Sequence, residues 1–192
     1  DDQQEIAEDV TREALGRHPG FPLPERIFGV MDFKRAGYVF LPEFCTRQAL
    51  LVDSKAEKTA NVARLQVSQT SLAIKQIRGG TKVDEKAGLP TVMNLRGEDY
   101  LVTTVFVHYE YADLESGHEL KTITIAALPN GRLESIYVPN ATDTIWVAGP
   151  NAPTRGEAFR VRLSFSRLKA KKKWRVQKLL VQGGKTPSRW SE

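Results

Sequence analysis

Two groups of residues in this 192-residue chain have the types and spacing for chemistry. The first is Asp113, Glu119 and Lys121, gathered around a short polar turn at residues 114–118. Its ordinary reading is a surface pair, Glu119 and Lys121, two residues apart on one strand face. The second is a basic cluster of Arg167, Lys169, Lys171, Lys172, Lys173 and Arg175, with Trp174 inside it. Such a density of Lys and Arg suits phosphate, and an aromatic ring can stack on a base. Its ordinary reading is a solvated hairpin tip with Trp174 turned into the core. An acidic protein or lipid headgroups would meet the same charges. His18, His108 and His118 are too scattered in sequence to define a metal site. No nucleophile elbow is present, and no Gly-rich loop joins a strand to a helix, so P-loop or Rossmann-type nucleotide binding has no support.

The string Gly-His-Glu-Leu-Lys-Thr-Ile-Thr-Ile at 117–125, with Asp113 before it and Gly-Arg-Leu-Glu-Ser at 131–135 after it, carries a family likeness. It resembles the metal-dependent endonuclease core of the mismatch-repair nicking enzyme and its restriction-enzyme relatives. There an Asp and a Glu-x-Lys stand at the ends of adjacent strands. The resemblance implies that Asp113 and Glu119 hold Mg²⁺ while Lys121 orients or activates the attacking water. Two departures stand beside it. A long strand leads into Asp113 where the family has a helix, and only one turn separates Asp113 from Glu119.

The elements that must position these residues begin with residues 99–127. Leu101, Thr103, Val105, Val107, Tyr109 and Tyr111 alternate with Val102, Thr104, Phe106, His108 and Glu110. β-branched and aromatic residues at period two predict a half-buried strand. Gly117 in the polar turn lets the chain reverse, so the stretch reads as a long antiparallel hairpin at the centre of a sheet.

Residues 25–50 carry a second likeness. They resemble an EF-hand, with a loop from Asp32 to Glu43, Gly37 at the sharp turn, Val39 at the apolar bridging place and Phe28 and Phe44 flanking. The third and fifth loop places hold Lys34 and Ala36 where calcium loops carry Asp or Asn. Asp32, Glu43 and the Tyr38 carbonyl are too few for the six to eight oxygens that calcium takes. The loop therefore reads as vestigial, with no bound metal. No second hand is visible, so this unit needs another surface to pack against.

Elsewhere, Ile6, Val10 and Ala14 predict a helix over 1–16. Ser54 and Glu57 form a capping box before a long helix over 54–78, ended by Gly79-Gly80, while the half after Val67 is rich enough in β-branched and Ser/Thr residues to be a strand instead. Residues 82–97 read as a loop. Residues 133–139 read as a third strand, and 144–148, holding Trp146, as another. A second hairpin has Phe159, Val161, Leu163 and Phe165 on one strand and Trp174, Val176 and Val181 on its return.

Hydrophobic residues make up 41% of the chain, enough for a core, and the net charge is +5, which favours anionic partners. A lone Cys45 excludes an intrachain disulfide and a Cys-built zinc cage, and argues for a reducing compartment. No apolar run reaches membrane-spanning length. The chain opens Asp-Asp-Gln-Gln without Met, which suits a removed leader or a trimmed start. The expected architecture is α+β: a helical N-terminal third with an EF-hand-like unit over 1–52, a mostly antiparallel curved sheet over 53–184, and a polar tail over 185–192. Lost calcium ligands and an unmated helix pair favour a non-catalytic scaffold without cofactors. This would be an accessory subunit of a larger, organellar (mitochondrial) assembly, with protein partners and an anionic lipid or nucleic-acid surface. The alternative is an Mg²⁺-dependent endonuclease using Asp113, Glu119 and Lys121.

Overall fold

Ala-Leu-Leu-Val at 49–52 is apolar without alternation, the pattern of a strand covered on both faces. The structure, a computed structural model, describes residues 2–17, 25–27, 36–41, 46–58, 61–115, 117–149, 161–181 and 189–191. In chain order it holds helix α1 (Asp2–Arg17) and strands β1 (Glu25–Ile27), β2 (Ala36–Leu41), β3 (Thr46–Glu57), β4 (Val62–Leu65), β5 (Ile74–Arg78), β6 (Thr81–Glu85), β7 (Val92–Leu95), β8 (Glu98–Leu114) and β9 (Gly117–Leu128). There follow helix α2 (Glu134–Tyr137), strand β10 (Val161–Ser164), helix α3 (Phe165–Lys171), and strands β11 (Val176–Leu180) and β12 (Arg189–Ser191).

The main sheet runs β1-β2-β3-β8-β9-β11-β12, with β7 also paired to β8. Its centre is the parallel pair β3–β8, in which Asp53 stands opposite Phe106 and Lys55 opposite His108. All other pairs are antiparallel. The run at 49–52 is accordingly buried: Ala49, Leu50 and Leu51 are at most 7% exposed. One face of β3 and β8 is covered by α1. Ser54 Oγ donates to Thr11 Oγ1 at 2.8 Å, and the Tyr109 hydroxyl meets the same oxygen at 2.8 Å. The other face carries the core, where Phe106, Leu65, Leu72, Ile74, Leu128, Leu163 and Trp146 are shut off from solvent. Trp146 Nε1 donates to the Ala73 carbonyl.

The central hairpin stands where the alternation places it, as β8 and β9. The expected helical N-terminal third does not. α1 is the one helix there among the described residues, and the fold is mostly β. The EF-hand reading fails on the same ground. Residues 36–41 (Ala-Gly-Tyr-Val-Phe-Leu) lie inside the would-be loop yet form β2, and β3 occupies the place of the second helix. β-branched and aromatic residues won over the loop pattern. Asp32 and Glu43 lie outside the described residues. β3 also runs without a break across position 52, where a boundary was expected.

The helix over 54–78 is replaced by the end of β3, then β4, a 3₁₀ turn at Val67–Gln69, and β5, which stands in the half after Val67 where a strand was the alternative. Ser54 and Glu57 are not a cap, since both side chains bond to other elements. Residues 82–97 contain β6 and β7. The strand expected at 133–139 is a 3₁₀ turn at Gly131–Leu133 leading into α2. Asn130 sets it: Oδ1 accepts from Arg132 N, while Nδ2 donates to the Thr91 and Val102 carbonyls. The second hairpin does not form. β10 pairs with β4, β11 pairs with β9, and α3 intervenes.

Candidate active site

β3 presents Asp53, Lys55 and Glu57 on one face, because strand side chains alternate and these are odd-numbered neighbours. The face is that of Phe106 and His108 on β8, their parallel partners. Asp53 and Lys55 form an acid–x–lysine pair, with Lys55 Nζ 3.1 Å from Asp53 Oδ2. Both are largely buried, with side chains 20% and 24% exposed. Burial pushes the Asp53 carboxyl above the usual carboxylate range, and the negative Glu8 adds to this. Lys55 and Gln69 pull the other way without cancelling it. Asp53 Oδ2 is enclosed and receives no hydrogen bond. A buried carboxylate oxygen in that state suits a divalent cation, a hard ion that prefers oxygen ligands. Among the described residues no group of three His, Cys, Asp or Glu comes together.

The group expected around the β8–β9 turn is differently placed. Asp113 pairs with His118 across the hairpin and Ala112 pairs with Glu119, so Asp113 and Glu119 point to opposite faces of the ribbon. Asp113 is half exposed. Its carboxyl lies below its ordinary range, chiefly through the hydrogen bond from Lys58, with His118 Nδ1 adding a contact at 2.9 Å. Lys121 Nζ bonds Glu119 at 2.5 Å, both side chains well exposed.

The basic cluster lies on α3 and a 3₁₀ turn at Lys173–Arg175 rather than on a hairpin tip. Several of its members hold the fold. Arg167 Nη1 donates to the Thr144 and Trp146 carbonyls, and Lys171 bonds the Ile136 carbonyl and Asp143. Arg175 donates to Tyr137 Oη and lies over the Tyr137 and Trp174 rings. Lys172, Lys173 and Trp174 face solvent, so Trp174 is not turned into the core. His108 is fully buried, His118 sits at the hairpin turn, and His18 lies outside the described residues.

Asp53 and Lys55 were missed by sequence reasoning, although they repeat the spacing of Glu119 and Lys121. The available signal was the apolar run just before them, which marks a buried strand delivering its end into the interior. Reading Ser54 as a helix cap hid it.

Over residues 1–179 the chain matches the family model described as Type II restriction enzyme SfiI. It is 34% identical to the Type II restriction enzyme SfiI of Streptomyces fimbriatus, over 97% of this chain and 74% of that protein. The crystal structure of tetrameric restriction endonuclease SfiI bound to cognate DNA superposes with a TM-score of 0.81 at 31% identity, covering 97% of this chain and 73% of that one. The restriction endonuclease BglI bound to its DNA recognition sequence superposes with a TM-score of 0.71 at 18% identity, covering 91% and 71%, a likeness of fold. These findings overturn the reading as a non-catalytic accessory subunit of an organellar assembly, and no EF-hand relative stands behind residues 25–50. No helix among the described residues is long and apolar enough to cross a membrane. With nearly its whole length matched, the chain belongs to the Type II restriction enzyme SfiI family.

Proposed function

We propose that this protein hydrolyses phosphodiester bonds in duplex DNA at a specific sequence, with Asp53 and Lys55 at the centre of the reaction. The observation that carries the reading is the enclosed acid–x–lysine pair on the central parallel strand. Asp53 offers an oxygen with no protein hydrogen bond to a divalent cation. Such a cation, when bound, supplies positive charge beside the phosphate oxygens as they gain charge. Lys55 places an ammonium next to the same point. There it can hold a phosphate oxygen and orient the attacking water.

The likeness to the acid, acid–x–lysine core asks for a second carboxylate from an adjacent strand. β2 is adjacent, with Ala36 opposite Leu51. Asp32 is the sole acidic residue between Ile27 and Ala36 in the sequence. Its place in the chain supports it as the second carboxylate. The exposed Lys172, Lys173 and Trp174 suit contact with the DNA backbone, in keeping with the net charge of +5. The tetramer in the SfiI structure supports assembly with further copies of the chain.

The test is cleavage of duplex DNA in Mg²⁺. Asp53→Ala, Lys55→Ala and Asp32→Ala each lose activity by about a hundredfold or more. Unchanged cleavage in Asp53→Ala rejects the assignment. Loss in Glu119→Ala instead points to the Asp113, Glu119 and Lys121 group.

A further inference from the structure

Glu57 and Arg64 stand beside this site, and the proposed reaction does not use them. Glu57 follows Lys55 by two residues on the same face of β3, and its side chain is 7% exposed. Its Oε1 accepts from Arg64 Nε at 2.6 Å, and its Oε2 lies 3.3 Å from His108 Nε2. A carboxylate accepts and does not donate, so the His108 ring donates through Nε2. His108 is itself enclosed, edge-on to the Phe165 ring at 5.4 Å. Burial alone would raise the Glu57 carboxyl. The hydrogen bonds from His108 and Arg64 outweigh it and hold the group below its ordinary range, so it is ionised at neutral pH.

Arg64 sits on β4 between Ala63 and Leu65, both of which point into the core, while its own side chain is 53% exposed. Its Nε is taken by Glu57. The Nη groups are not used by that bond, and the side chain is half exposed. Directly across the β4–β10 pair stands Arg162.

We infer that Arg64 is a specificity-determining residue that reads the edge of a guanine in DNA, with Glu57 and His108 as the brace that fixes its guanidinium. The inference rests on the reading of the chain as a DNA-cleaving enzyme. A backbone contact needs charge and tolerates a mobile side chain. Guanine presents two acceptors, O6 and N7, and takes a paired donor in a set orientation. A guanidinium held through Nε by a buried carboxylate, on a half-exposed side chain, has its orientation set before DNA arrives. Its donors would be left unpaired against a wrong base, which is how such a site rejects it.

The experiment cleaves a pool of duplexes with randomised bases in Mg²⁺ and sequences what is cut. It compares wild type with Arg64→Lys, Arg64→Ala and Glu57→Gln, each checked for folding by circular dichroism. The expected result is loss of a guanine preference at one position by roughly ten- to a hundredfold in both Arg64 variants, with the other positions and the salt dependence of binding unchanged. Glu57→Gln weakens the same position. Arg64→Lys is decisive even if Glu57→Gln does not fold, because it keeps the charge and loses the fork. An unchanged base preference in Arg64→Lys overturns the inference. So does uniform weakening across all sequences in Arg64→Ala with a salt slope reduced by about one, the mark of a phosphate contact. A wild-type protein that cuts no duplex tells against the nuclease reading itself, not against Arg64 alone.

Discussion

Lys55 Nζ stands 3.1 Å from Asp53 Oδ2, yet that oxygen receives no hydrogen bond. The lysine donates instead to Asp53 Oδ1 at 3.4 Å, which leaves Oδ2 within charge attraction but unbonded. Burial outweighs the pull of Lys55, so the folded carboxyl binds a proton more readily than the same group in the unfolded chain. Below the unfolded value, about pH 4, both states are protonated and the group has no effect. As pH rises from there through the raised folded value, the unfolded chain ionises first and stability falls. Asp53→Asn removes this slope. Thermal unfolding in the absence of divalent cations should show the variant gaining on wild type as pH rises above about 4. Parallel curves would contradict it.

Thr11 ties α1 to the central strands. Its Oγ1 donates to the Ala7 carbonyl and receives the hydroxyls of Ser54 and Tyr109. Tyr109→Phe removes one of these bonds without changing the ring. We expect a loss of about 1 kcal/mol, seen as a fall in Tm of a few degrees, with α1 more open to hydrogen exchange than the β8–β9 core. An unchanged exchange rate in α1 would show that the helix is held by other contacts.

Gly131 opens the turn that Asn130 pins to β8. A Cβ there would fall 2.1 Å from the Ser71 carbonyl oxygen, a backbone atom. Gly131→Ala should destabilise the fold by about 1–3 kcal/mol, measured by urea unfolding. A variant as stable as wild type would mean that the turn shifts freely.

The central hairpin was legible because its alternation is long and its faces differ. Val102, Thr104, Phe106 and His108 are buried, and the other set lies nearer solvent or α1. The N-terminal helix was legible too, but its inner face was not. Ile6 and Val10 are 62% and 48% exposed, while Ala7 and Thr11 are buried. The small alanine lets the helix come close to the sheet, and the threonine finds hydroxyl partners there, so size and hydrogen bonding decided the face.

Strand β3 was hidden because Ser54 and Glu57 imitate a capping box, a local pattern without knowledge of neighbours. Tertiary contacts gave both side chains other partners. The nuclease likeness was sensed through Glu119 and Lys121. The same spacing recurs at Asp53 and Lys55 in a buried strand, and only the packing distinguishes an exposed ion pair from an enclosed one.

The most direct measurement compares Mg²⁺-dependent cleavage of duplex DNA by wild type, Asp53→Ala and Glu119→Ala, with folding verified for each. The account predicts cutting by wild type and Glu119→Ala, and loss in Asp53→Ala by about a hundredfold or more. Full activity in Asp53→Ala, or its loss in Glu119→Ala, would contradict it.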